Sequence, residues 1–78
     1  MVKTQYIDVK LLEDAIEKSG LRIQHIIDNL GISRQAFDKK RKGQVAFRQS
    51  EVYVMCDLLK ITDDNMKMRI FFPGSVRS

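Results

Sequence analysis

The chain has 78 residues, 44% hydrophobic and 31% charged, with 14 Lys and Arg against 10 Asp and Glu for a formal net charge of +4. These proportions fit one small folded domain spanning 1–78 rather than a disordered tail. No apolar run approaches the ~20 residues needed to cross a bilayer. A lone Cys, Cys56, excludes an internal disulfide and suggests a reducing, cytoplasmic compartment. One Cys and one His cannot build a Cys/His zinc site within a single chain. The chain does not open on a basic segment followed by an apolar stretch, so no secretory leader is expected. With no recognisable catalytic set, no cofactor and no metal ligand cluster, the expectation is a binding module and not an enzyme.

In chain order, residues 1–7 read as an arm, with Tyr6-Ile7 the one place where a short strand is conceivable. Asp8 can N-cap a first helix whose Val9, Leu12, Ala15 and Ile16 share a face at helical spacing. Ser19-Gly20 ends it. Ile23, Ile26, Ile27 and Leu30 mark a second short helix, closed by Gly31. Ser33 is a good N-cap for a third, and Ile32 with Phe37 can form a hydrophobic staple across its start. Gly43 stops that helix after Lys39-Lys40-Arg41-Lys42, where cations complement the helix dipole. A loop follows, and Val52, Met55, Cys56, Leu58 and Leu59 give a fourth helix with Arg48 at its cap position and Phe47 and Val52 as a second staple. Thr62 or Asp63 caps a short fifth, which Pro73-Gly74 breaks, leaving residues 73–78 as a tail. The expected fold class is all-α, with four or five short helices.

The positive charge is concentrated. Residues 1–32 carry a net −1 and residues 49–78 a net zero. Residues 33–48 hold Arg34, Lys39, Lys40, Arg41, Lys42 and Arg48 against Asp38 alone, a net +5 in one fifth of the chain. A local basic patch on an otherwise balanced domain suits a phosphate backbone, although a solvated Lys-rich face has the same composition.

The connection Leu30-Gly31-Ile32-Ser33 is too short for the second and third helices to lie antiparallel. Ile26, Ile27, Leu30, Ile32 and Phe37 would pack the corner, leaving Arg34, Gln35, Asp38, Lys39 and Lys42 outward. That is how a helix-turn-helix, here about 22–42, presents a recognition helix. Over roughly residues 9–72 the sequence resembles the Cro and phage-repressor-like helix-turn-helix family, also called the XRE family. The resemblance rests on KSGL at 18–21, ISRQAF at 32–37, KG at 42–43, FRQSEV at 47–52 and the Phe71-Phe72 pair. It implies a lambda-repressor/Cro-like domain: a phage or prophage transcriptional regulator, most simply a repressor, that inserts helix 33–42 into the DNA major groove. It also implies action in a bacterial host cytoplasm, at the nucleoid. The chain departs from the family pattern at Arg22 and Arg48, where Ser or Thr caps are usual. It departs again at Ile23, at the larger Ile27, and at Lys40 in a usually apolar position.

Chemistry then suggests roles within that docking mode. Arg34 can pair with guanine O6/N7 and Gln35 with adenine N6/N7. Lys39 can reach guanine or a phosphate, and Asp38 can accept from cytosine N4 or pair with Arg34 or Lys42. Ser33, at a helix start, suits a phosphate or base edge. Arg22, Lys40, Arg41, Lys42, Gln44 and Arg48 are the expected phosphate contacts. Lys40 and Arg41 can equally lay their aliphatic stems over Phe37, and Arg34 and Gln35 can equally be ordinary helix-surface residues. Cys56 is expected to be buried and inert. Met66, Met68, Ile70, Phe71 and Phe72 exceed what one terminal helix buries on a small domain. Part of that set is expected in the core, and the remainder at a homodimer contact or a docking surface for another protein. The partners expected are operator DNA, a second copy and, on the alternative reading of a protein-binding modulator or antirepressor, a partner repressor; no membrane is expected.

Overall fold

The computed structural model describes residues 6–73, and over that range the chain is helical, with no strand among the described residues. The helices are α1 (Val9–Ser19), α2 (Ile23–Leu30), α3 (Arg34–Arg41), α4 (Gln49–Leu59) and α5 (Asp64–Phe71). Asp8 caps α1 by accepting the N–H of Leu11 at 3.1 Å. Asp63, not Thr62, caps α5, accepting from the N–H of Asn65 at 3.0 Å. The α2–α3 turn rests on Gly31, whose φ of +71° is left-handed and cheap only for glycine. At the end of α4 the corresponding position is Lys60, held at φ +60°.

Each helix contributes to one core: Leu12 and Ile16 from α1, Ile26 and Ile27 from α2, Phe37 from α3, Val52, Met55 and Leu59 from α4, Ile70 and Phe71 from α5. α1 packs on α3, α4 and α5, while α2 packs on α3 and α4. Phe47, in the loop before α4, sits edge-on to both Phe37 (centroids 6.4 Å apart) and Phe71 (5.7 Å). This aromatic cluster bolts the loop after α3 to the last helix, and such pairs add about 0.5–1.5 kcal/mol beyond area burial.

Tyr6 and Ile7 form no strand. Ile7 is buried, the N–H of Asp8 donates to the Ile70 carbonyl at 2.8 Å, and the N–H of Tyr6 reaches the Gly43 carbonyl at 3.4 Å. The expected arm and tail otherwise fall on residues 1–5 and 74–78, outside the described range. The five residues expected to supply a dimer contact divide. Ile70 and Phe71 are core, because α5 is only eight residues long and turns them against α1 and Phe47. Met68 is half-buried, and Met66 and Phe72 are exposed. No helix is long and apolar enough to cross a membrane among the described residues.

Candidate nucleic-acid interface

Ser33 begins α3 by accepting the Ala36 N–H on its Oγ at 3.1 Å, which leaves the hydroxyl proton free to donate outward. Beyond it, the 100° step per residue sorts the side chains. Arg34, Gln35, Lys39 and Lys42 are exposed, Asp38 is half-buried, and Phe37 and Lys40 point inward. Among the described residues Asp38 pairs with neither Arg34 nor Lys42. The helix ends in paired turns, the Gly43 N–H donating to the Lys40 carbonyl and the Gln44 N–H to the Lys39 carbonyl, both at 3.0 Å. Gly43 adopts the positive φ (+82°) that this ending requires. Lys42 and Gln44 stay at the surface.

Two residues absent from the sequence-based set join it. Arg34 Nη2 donates to Gln24 Oε1 at 3.1 Å, and Gln24 Nε2 donates to Asp28 Oδ1 at 2.9 Å. The Gln24–Asp28 spacing of four on an exposed helix face is a signal visible in the sequence. The reach across ten residues to Arg34 is not.

Lys40 departs from expectation. It is 8% exposed, and its Nζ lies 2.5 Å from Glu51 Oε1. Lying three residues after Phe37, it shares the buried face, so its ammonium is spent on an internal carboxylate and is not presented to a phosphate. The same Glu51 oxygen accepts the backbone N–H of Arg48 at 2.8 Å, tying α3 to the start of α4. Burial works against the charge on Glu51, but Lys40 and the Arg48 N–H outweigh it and hold the carboxyl below its ordinary range. Arg41 is half-buried; its guanidinium lies 5.9 Å from the Phe37 ring centroid, and its Nε is 3.3 Å from Glu13 on α1. Its head is therefore turned to Phe37 and Glu13 and not out to water.

Arg22 and Arg48 occupy the N-cap positions of α2 and α4 in extended conformation, both exposed. An arginine side chain has no acceptor, so neither caps its helix through its side chain. In α4 the Glu51 carboxylate supplies the reciprocal half of a capping box. Arg34, Lys39, Lys42, Arg48 and Arg22 thus remain as surface cations unpaired with any carboxylate among the described residues. Cys56 is half-buried rather than buried, and burial pushes its thiol up despite nearby Lys67, which favours the unreactive protonated form. No family model matches this chain, and neither does any curated protein or solved structure compared with it.

Proposed function

We propose that the protein is a sequence-specific, double-stranded DNA-binding transcriptional regulator of the Cro-like helix-turn-helix kind, with α3 as the helix that enters the major groove. The supporting observation is the outward stripe of α3. Ser33, Arg34, Gln35 and Lys39 carry donors and acceptors suited to base edges, on a helix anchored from behind by Phe37 and Lys40. Arg22, Lys42, Gln44 and Arg48 flank that stripe as phosphate contacts that fix register. A handful of base contacts worth about 1–3 kcal/mol each is little for one module, so the working form is a homodimer on two half-sites. Action in the cytoplasm of a bacterial host, as a phage or prophage repressor, belongs to the same proposal.

A second reading, a modulator that engages a partner repressor, draws on a different surface. Tyr53 is 81% exposed and lines a groove between α4 and α5 with Leu58, Ile61 and Phe72. The two readings part on one experiment. The protein is incubated with a random pool of ~30-bp duplexes at ~150 mM salt, where nonspecific binding is weakened, and the retained DNA is sequenced. An enriched inverted repeat with half-sites about one helical turn apart supports the regulator. An unchanged pool removes it in favour of the modulator.

A further inference from the structure

Arg34 is the first residue of α3, where an arginine would ordinarily sweep freely across the helix start. Here its Nη2 is held on Gln24 Oε1, and Gln24 is itself oriented by donating its amide N–H to Asp28. The polarity of this chain is forced. Asp28 can only accept, so it takes the Gln24 amide nitrogen and turns the amide oxygen toward the guanidinium. A guanidinium presents two forks, each using one Nη2 hydrogen; Gln24 occupies one and leaves the other open. All three side chains are exposed, so the chain does no work for the core.

We infer that Gln24 and Asp28 are positioning residues that set the base preference of Arg34, restricting it to one open fork aimed away from α2. This rests on the DNA-binding reading above and adds to it a pair of specificity determinants outside the recognition helix. Released from Gln24, the guanidinium can turn to neighbouring phosphates. The variant then keeps its general affinity for DNA while losing choice at one base pair.

The test measures, on the DNA selected by the wild-type protein, the affinity ratio between the preferred duplex and duplexes changed one base pair at a time. Arg34→Ala identifies the base pair that Arg34 reads by erasing a preference of about 5- to 150-fold. Gln24→Ala is expected to lower that same preference by about 2- to 12-fold, the range set by ordering one long side chain, and to leave the other positions alone. The exchange Gln24→Glu with Asp28→Asn keeps an acceptor facing Arg34 and a donor at position 28, and should restore the preference. In free protein at pH 6, the heteronuclear NOE of the Arg34 Nε–Hε group should fall in Gln24→Ala and recover in the exchange variant. Unchanged preference at the Arg34 base pair in Gln24→Ala overturns the inference. An equal loss at every position, accompanied by a lower Tm, also overturns it, since that is a structural effect. A wild-type protein that enriches no sequence removes the DNA-binding reading and this inference together, whereas selective wild-type binding with an indifferent Gln24→Ala removes only the inference.

Discussion

Lys40 on α3 and Glu51 on α4 meet beneath the surface, 2.5 Å from Nζ to Oε1, and the same carboxylate oxygen receives the Arg48 N–H that opens α4. One buried acceptor therefore fixes the inner face of α3 and the first turn of α4 at once. The arrangement converts a residue that composition places in a basic run into a strut behind the exposed stripe. Removing one member of such a pair strands the other without compensation.

Glu51→Ala should accordingly cost about 3–5 kcal/mol, as loss of a buried ionic partner typically does. Against a total stability of about 5–15 kcal/mol that is a severe loss. Lys40→Met combined with Glu51→Gln replaces the charges with matched volumes and keeps an acceptor for the Arg48 N–H. That double variant should fall within about 1 kcal/mol of wild type. Urea unfolding of Lys40→Met, Glu51→Gln and their double variant measures the coupling, and additive losses would contradict it.

The same pair makes stability depend on acid. Because the Glu51 carboxyl is lowered in the folded chain from its ordinary 4.5, its stabilisation is complete above pH 4.5. It is lost progressively as pH falls below that value toward the lowered one. The urea midpoint of the wild type should drop through this window, and more steeply than that of the Lys40→Met, Glu51→Gln variant.

Arg22 stands where a side-chain cap is missing. Arg22→Thr should add about 0.5–1 kcal/mol of stability, because a threonine oxygen can accept an orphan N–H in the first turn of α2. If Arg22 also meets a phosphate, the same change reduces the slope of log K against log salt by about 0.9. Thermal melts and a salt titration read the two effects separately, and a more stable protein with an unchanged slope removes Arg22 from the phosphate set.

Lys60 holds φ +60° at the end of α4, where a β-carbon is crowded by the backbone. Lys60→Gly should stabilise the domain by about 0.5–1 kcal/mol after the glycine's greater unfolded entropy is counted. For a domain of this size that raises Tm by about 2–8 °C. A lower Tm would mean that the lysine side chain contributes packing across α4 and α5 that outweighs its backbone strain.

Arg34→Ala and Gln35→Ala should leave Tm within about 4 °C of wild type, since both side chains are exposed. Each should abolish preference at one base pair of a selected site. Retained selectivity in both would place DNA recognition on another face.

The four-residue run Lys39 to Lys42 shows where reading the chain alone runs out. As composition it is a uniform basic patch. As a helix it is sorted at 100° per residue: Lys39 and Lys42 outward, Lys40 under the surface, Arg41 sideways over Phe37 toward Glu13. Helical spacing from Phe37 already points Lys40 inward, but an inward lysine needs an acceptor. That acceptor comes from α4, eleven residues away. The role of Gln24 and Asp28 is illegible in the sequence for a related reason. Their own spacing is local, while their significance depends on Arg34 arriving from the next helix.

What the sequence by itself determined lies within about one helical turn. Asp8 and Ser33 mark helix starts because their side-chain oxygens reach nearby N–H groups, Thr62-Asp63 marks a third without choosing between the two, and Gly31 and Gly43 mark turns because only glycine adopts positive φ at little cost. The apolar repeats likewise declared which faces turn inward. Only the tertiary structure decided which residues separated along the chain share a contact: Lys40 with Glu51, Arg34 with Gln24, Phe47 between Phe37 and Phe71. Those pairings arise from how five short helices fill one core, and the spacing of residues along the chain carries no direct record of that packing.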